Sequence, residues 1–155
     1  MIEKTASEYL LEHFISLPHC QAIDLRFEEL DHKKPILSIP WRADLVGRND
    51  TNTIHGGVIT TLIDVTSACS VAALITEIEV IATLDMRIDY MHPATPHQAI
   101  YAKAECYRLT GHDAFTRTIC YQHSEDDPIA LGTATFMRTP LNHTVQAHYR
   151  EFFYP

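Results

Sequence analysis

Asn49-Asp50-Thr51-Asn52-Thr53-Ile54-His55-Gly56-Gly57-Val58-Ile59-Thr60-Thr61-Leu62-Ile63-Asp64 is the stretch whose reading decides the fold. It starts polar, turns through His55-Gly56-Gly57 and enters an apolar run that continues to about Ile78. Two glycines at a helix entrance allow close backbone approach, and the first N–H groups of a helix have no partners inside it. An electron-rich ligand atom finds donors there. One carboxylate, Asp64, lies within the apolar run, and a lone acid in a buried helix needs a partner or a chemical task. The stretch reads as a candidate active site.

The run over residues 57–78 predicts a helix. Val58, Leu62, Val65, Cys69 and Ala72 form one apolar stripe, while Ile59, Ile63, Ala73 and Leu74 occupy other sides, so the helix is buried. Upstream, Thr5 and Glu8 have the spacing of a capping box, and Tyr9, Leu10, His13, Phe14 and Leu17 give an amphipathic helix that Pro18 closes. Residues 22–30 and 36–41 read as two strands of a hairpin, and residues 42–53 as a polar, irregular loop that delivers the chain to His55. Downstream, Leu84, Met86, Ile88 and Tyr90 alternate with Asp85, Arg87 and Asp89 as a half-buried strand. Three more strands follow over residues 100–107, 114–123 and 129–138, and an aromatic tail occupies residues 139–155. The expected fold is α+β: one domain with its core at about residues 20–138, a long buried helix wrapped by a curved antiparallel sheet, and an N-terminal helix.

Composition bounds the function. Apolar residues make up 46% and charged residues 21% of the 155, which is ordinary for a globular chain. A net charge of −8 argues against a nucleic-acid surface. The start of the chain lacks a basic-then-apolar leader, and the long apolar run is broken by Thr60, Thr61, Asp64, Thr66, Ser67 and Ser70, so no membrane partner and a cytoplasmic location are expected. Cys20, Cys69, Cys106 and Cys120 have no CxxC spacing and the histidines no ligand pairing; free thiols and no metal are expected.

Asn49, His55-Gly56-Gly57 six residues on, and Asp64 nine after the histidine resemble the pattern of the PaaI-type hotdog acyl-CoA thioesterases. Thr83-Leu84-Asp85-Met86-Arg87-Ile88-Asp89-Tyr90-Met91-His92-Pro93-Ala94 is similar to the next strand of that family, and Ala130-Leu131-Gly132-Thr133-Ala134-Thr135-Phe136 to its final strand. The resemblance implies a hotdog fold, a homodimer with sheets joined edge to edge and often a homotetramer. It also implies hydrolysis of an acyl-CoA without a metal or cofactor. Carried over residue by residue, Asp64 is the catalytic carboxylate, Gly56 offers its N–H to the thioester oxygen, His55 supports the turn, and Asn49 helps hold the water or the substrate. Gly57 and His92 are candidate substrate-binding residues; His92 departs from the pattern, which often places a small hydroxyl residue before this proline.

Thioester hydrolysis needs a base or nucleophile on one side of the carbonyl and a donor for the growing oxyanion. Asp64 can deprotonate water or attack directly, and the sequence leaves both open. Nine residues at about 100° each place Asp64 roughly 180° around the helix from His55 and about 13 Å along it. Both groups can hardly face one carbonyl within a single chain. If both act, the site combines Asp64 of one subunit with Asn49, His55 and Gly56 of another. Arg87, Lys103, Arg108, Arg117 and Arg138 are the basic residues available to the CoA phosphates. Two other functions fit the same fold: hydration or dehydration of an acyl thioester, and non-catalytic acyl-CoA binding or sensing.

Overall fold

A computed structural model describes residues 5–141. Helix α1 (Ala6–Ser16) carries the capping box, with the Thr5 hydroxyl accepting from the Glu8 N–H and the Glu8 carboxylate accepting from the Thr5 N–H. Pro18 opens a short second helix, α2 (Pro18–Ala22), as its fixed φ allows at a first helical position. The hairpin follows as β1 (Arg26–Asp31) and β2 (Lys34–Ile39), joined by His32 and Lys33, both at positive φ. The strand expected over residues 22–30 therefore begins only at Arg26, because α2 occupies its first position. The loop expected over residues 42–53 contains a 3-10 turn (Ala43–Leu45) and a small ribbon of β3 (Val46–Arg48) and β4 (Thr53–Ile54).

Helix α3 (Gly56–Ala72) is the buried centre, with a run of buried residues from Val65 to Ala72. It ends six residues earlier than the expected Ile78. Ile75 and Ile78 are buried in the turn that follows, so the apolar pattern outlasts the helix that began it. Most of the aromatic tail expected over residues 139–155 lies outside the described residues. Four long strands complete the described part: β5 (Glu79–Tyr90), β6 (Ile100–Leu109), β7 (Asp113–Tyr121) and β8 (Ala130–Pro140). They join the hairpin in one antiparallel sheet of order β1-β2-β6-β7-β8-β5. Helix α3 packs against β2, β5, β6, β7 and β8 on one face of that sheet and against α1 on its other side. This is the hotdog arrangement. The helix approaches β8 so closely at Gly132 that a Cβ there would lie 2.5 Å from Ile63 Cγ2.

Strand β5 is an edge of the sheet, and its facing departs from simple alternation. The register with β8 shifts between Thr83, opposite Phe136, and Asp85, opposite Thr135, which leaves Leu84 as the extra residue of a β-bulge. Leu84 is 61% exposed, so it does not share the inner face expected for it. Across the bulge, Thr83, Met86, Ile88 and Tyr90 lie opposite Phe136, Ala134, Gly132 and Ala130; Thr83 and Tyr90 bond residues of α3, and Met86 and Ile88 pack against the core. At the other end of β5, Glu79 and Arg138 form a buried ion pair at 2.7 Å, and Arg138 also donates to the Thr110 carbonyl, which ties β5, β8 and the β6–β7 turn together.

Candidate active site

The turn into α3 is fixed from several sides. His55 is the N-cap in an extended conformation, and its Nδ1 accepts the Gly57 N–H at 2.9 Å. In that contact Nδ1 is the acceptor. The ring therefore caps the first turn of α3. The His55 N–H donates to the Leu45 carbonyl at 2.9 Å, which hangs the turn on the β3–β4 ribbon. Gly47 of that ribbon presses on it; a Cβ at residue 47 would lie 2.8 Å from His55 Cα. The Gly56 carbonyl accepts from the Tyr90 hydroxyl at 2.9 Å and from Thr60 Oγ1 at 3.1 Å. Gly57, a candidate substrate-binding residue in the sequence, has its N–H engaged by His55. The Gly56 N–H meets no acceptor among the described residues and stands at a helix N-terminus, where a developing negative charge is stabilised.

Asp64 lies two turns further along α3, half-buried. Its carboxylate accepts from Thr83 Oγ1 at 2.8 Å and forms no ion pair among the described residues. The ordinary reason for an acid in a buried helix, a neighbouring guanidinium, is missing. The Cys20 thiol is close: burial, and then the Asp64 charge, push it above its usual range.

The expected site residues fall into separate groups. Gly56 and His92 line one cleft of about 330 Å³, together with Ile54, Ile59, Tyr90 and Met91. His55 and Gly57 line a second, of about 460 Å³, on the other side of the turn, with His19 and Asp44. Neither cleft is lined by Asp64 or Asn49. Asn49 is exposed in the turn between β3 and β4. His92 Nδ1 lies 3.0 Å from the Pro93 carbonyl and Nε2 lies 3.4 Å from Asp127, so both ring nitrogens face oxygen acceptors at the mouth of the first cleft. One chain thus holds a donor turn and a carboxylate, about 12 Å apart along the helix at about 1.5 Å per residue.

Thr83, Thr60, Gly47 and Tyr90 are not among the candidate site residues that the sequence offers. The position of Thr83 opposite Asp64 depends on the bulge at Leu84, and an alternating pattern gives no sign of a one-residue shift. Among the basic residues, Arg87 pairs with Asp89, Lys103 with Asp31 and Glu125, Arg117 with Glu105, and Arg138 with Glu79. Arg108 is exposed and forms no ion pair among the described residues. Among the same residues no group of three or more His, Cys, Asp or Glu side chains is placed to hold a metal ion, and no helix is long and apolar enough to cross a membrane.

Residues 51–124 match the family model described as the thioesterase superfamily. A crystal structure of a Pseudomonas aeruginosa protein is 41% identical, covers 86% of this chain and 99% of its own, and superposes with a TM-score of 0.77. A thioesterase family protein from Silicibacter pomeroyi (18% identity, 87% and 99% of the two chains, TM-score 0.76) has the same fold. So does a mutant of the phenylacetic acid degradation protein PaaI from Thermus thermophilus (23% identity, 77% and 97%, TM-score 0.67). No curated protein matches the sequence.

Proposed function

The chain belongs to the thioesterase superfamily, and from that membership we propose that it hydrolyses an acyl-CoA thioester to a free carboxylic acid and CoA. The observation that supports this reading is the pair of groups left chemically open among the described residues: the Asp64 carboxylate, held by Thr83 and by no cation, and the unpartnered Gly56 N–H. In the reaction, the thioester oxygen takes the Gly56 N–H. Water, held by Asp64 and the Thr83 hydroxyl, attacks the carbonyl carbon while Asp64 removes its proton. The tetrahedral intermediate collapses with cleavage of the C–S bond, and the thiolate leaves to be protonated. No cofactor has a part in these steps. Asp64 acts as general base in this reading because Thr83 fixes one of its oxygens and leaves the other for water. His92 borders the cleft as a substrate contact, and Asn49 serves the substrate from the ribbon.

The two groups meet across a homodimer. Thr83, beside Asp64, and Tyr90, beside Gly56, lie on the same edge strand. Antiparallel pairing of two β5 edges about an axis at Arg87, with Leu84 again the extra residue, brings Thr83 of one subunit opposite Tyr90 of the other, with strands about 4.8 Å apart. The exposed apolar residues Leu84, Tyr90 and Met91 along this strand support a covered edge. Each dimer then has two sites, each built from one carboxylate and one donor turn.

The test is thiol release from short, medium, long and aromatic acyl-CoAs. Two variants remove one group each. Asp64→Asn removes the base. Gly56→Pro removes the Gly56 N–H at the first helical position, where His55 has φ −63 and ψ 134, and sets a Cβ 3.3 Å from Tyr90 Oη, so the Gly57 contact to His55 is checked in the folded variant. Each folded variant is expected to lose about a hundredfold or more in rate. Wild-type turnover in Asp64→Asn would remove that residue from the mechanism, and wild-type inertness on the whole panel would remove the activity.

A further inference from the structure

We propose that Tyr90 and Thr60 are positioning residues that hold the oxyanion-binding turn from its carbonyl side; this rests on the thioesterase reading of that turn. The three oxygens form a closed triangle. Tyr90 Oη lies 2.9 Å from the Gly56 carbonyl oxygen, Thr60 Oγ1 lies 3.1 Å from it, and the two hydroxyls are 3.0 Å apart. Two hydroxyl hydrogens serve these three contacts. In every arrangement that uses both hydrogens within the triangle, at least one lies on the Gly56 carbonyl.

The consequence follows from which peptide is held. The Gly56 carbonyl and the Gly57 N–H belong to the same peptide unit. Its oxygen is tied to Tyr90 and Thr60 and its N–H to His55 Nδ1, so the unit cannot rotate without breaking contacts at both ends. The adjoining unit carries the free Gly56 N–H. Two glycines in succession would otherwise leave this turn the most pliable point of the helix start. A donor that must meet charge only in the transition state acts best when it needs no rearrangement.

Tyr90 is itself anchored. It pairs with Ala130 at the end of β5, and the next residue continues the ladder, with the Met91 N–H donating to the Ile129 carbonyl at 2.9 Å. The residue is 52% exposed, yet its hydroxyl is committed to the turn. A tyrosine that served only to fill the cleft would have no need of that oxygen.

The test compares Tyr90→Phe, Thr60→Val, Thr60→Ser and the Tyr90→Phe/Thr60→Val double variant with wild type on its best acyl-CoA. Tyr101→Phe, a hydroxyl deletion elsewhere on the sheet, is the control. Exchange of the Gly57 amide hydrogen, followed by NMR, is read in the same set. Because either hydroxyl can hold the carbonyl alone, Tyr90→Phe is expected to lower kcat about fivefold and the double variant about fiftyfold, with KM within about twofold. Thr60→Ser and Tyr101→Phe should match wild type, and Gly57 exchange in the double variant should rise about tenfold or more. A double variant with wild-type kcat overturns the proposal, whatever its amide exchange. If wild type hydrolyses no acyl-CoA, the functional reading fails separately, and unchanged Gly57 exchange in the double variant still overturns the positioning role.

Discussion

At the start of α3 the His55 ring accepts the Gly57 N–H and so serves as a helix cap. The sequence placed it at the helix start; the ring's task follows from the Nδ1 contact to the Gly57 N–H at 2.9 Å. A capping role predicts that His55→Asn, whose side-chain oxygen can accept the same N–H, keeps stability and most of the turnover. His55→Ala should lose about 1 kcal/mol, measured by denaturant unfolding. A loss of a hundredfold or more in His55→Asn, with stability retained, is the size expected for removal of a general base and would contradict the cap. Asp64 was legible because an acid in an apolar run is conspicuous. Thr83 was not, because a threonine on a strand has many ordinary uses and only its position at 2.8 Å from Asp64 distinguishes it.

At the level of elements, α3 and the succession of strands along the chain were legible from periodicity and turn residues, while their order in the sheet, their ends and their offsets were not. Apolar residues continue past Ala72 because Ile75 and Ile78 are buried in the turn, and hydrophobicity reports burial before it reports helix. The bulge at Leu84 escaped for a related reason: residues 84, 86, 88 and 90 alternate in sequence, yet Leu84 is the extra residue and Thr83 takes the inner place. Gly132 read as one more residue of a strand, although it sets how near α3 comes to the sheet. Gly132→Ala forces a methyl to 2.5 Å from Ile63 Cγ2 and should destabilise the fold by about 1–3 kcal/mol. In the Ile63→Ala background the same change should cost clearly less, because the opposing methyl is gone. Equal costs in the two backgrounds, read from unfolding midpoints, would contradict the contact.

For the whole molecule, charge acts on stability and the proposed assembly completes the site. The paired guanidinium and ammonium groups lower several carboxyls: Arg117 and Lys34 hold Glu105 below the usual range, and Lys103 does so for Asp31. A carboxyl lowered in the folded state contributes stability that is fully present above its unfolded value, about pH 4, and disappears as pH falls through the lowered value. Lys103, raised by Asp31 and Glu125, contributes below its unfolded value, about pH 10.4, and its share fades as pH rises through the raised one. The urea midpoint should therefore fall from pH 7 to pH 3, and less steeply in Lys103→Met; parallel curves for the two proteins would contradict this pairing. The separation of the two groups was legible from helix geometry alone, whereas the edge strand proposed to join the halves, with Thr83 and Tyr90 along it, was visible only in the fold. The measurement that tests the shared site most directly is the acyl-CoA turnover of purified hybrid dimers in which one subunit carries Asp64→Asn and the other Gly56→Pro. In a shared site, one of the two sites receives both intact groups, so hybrids should regain about half the wild-type rate while each parent homodimer stays nearly inactive. Hybrid dimers no more active than their parents would contradict it.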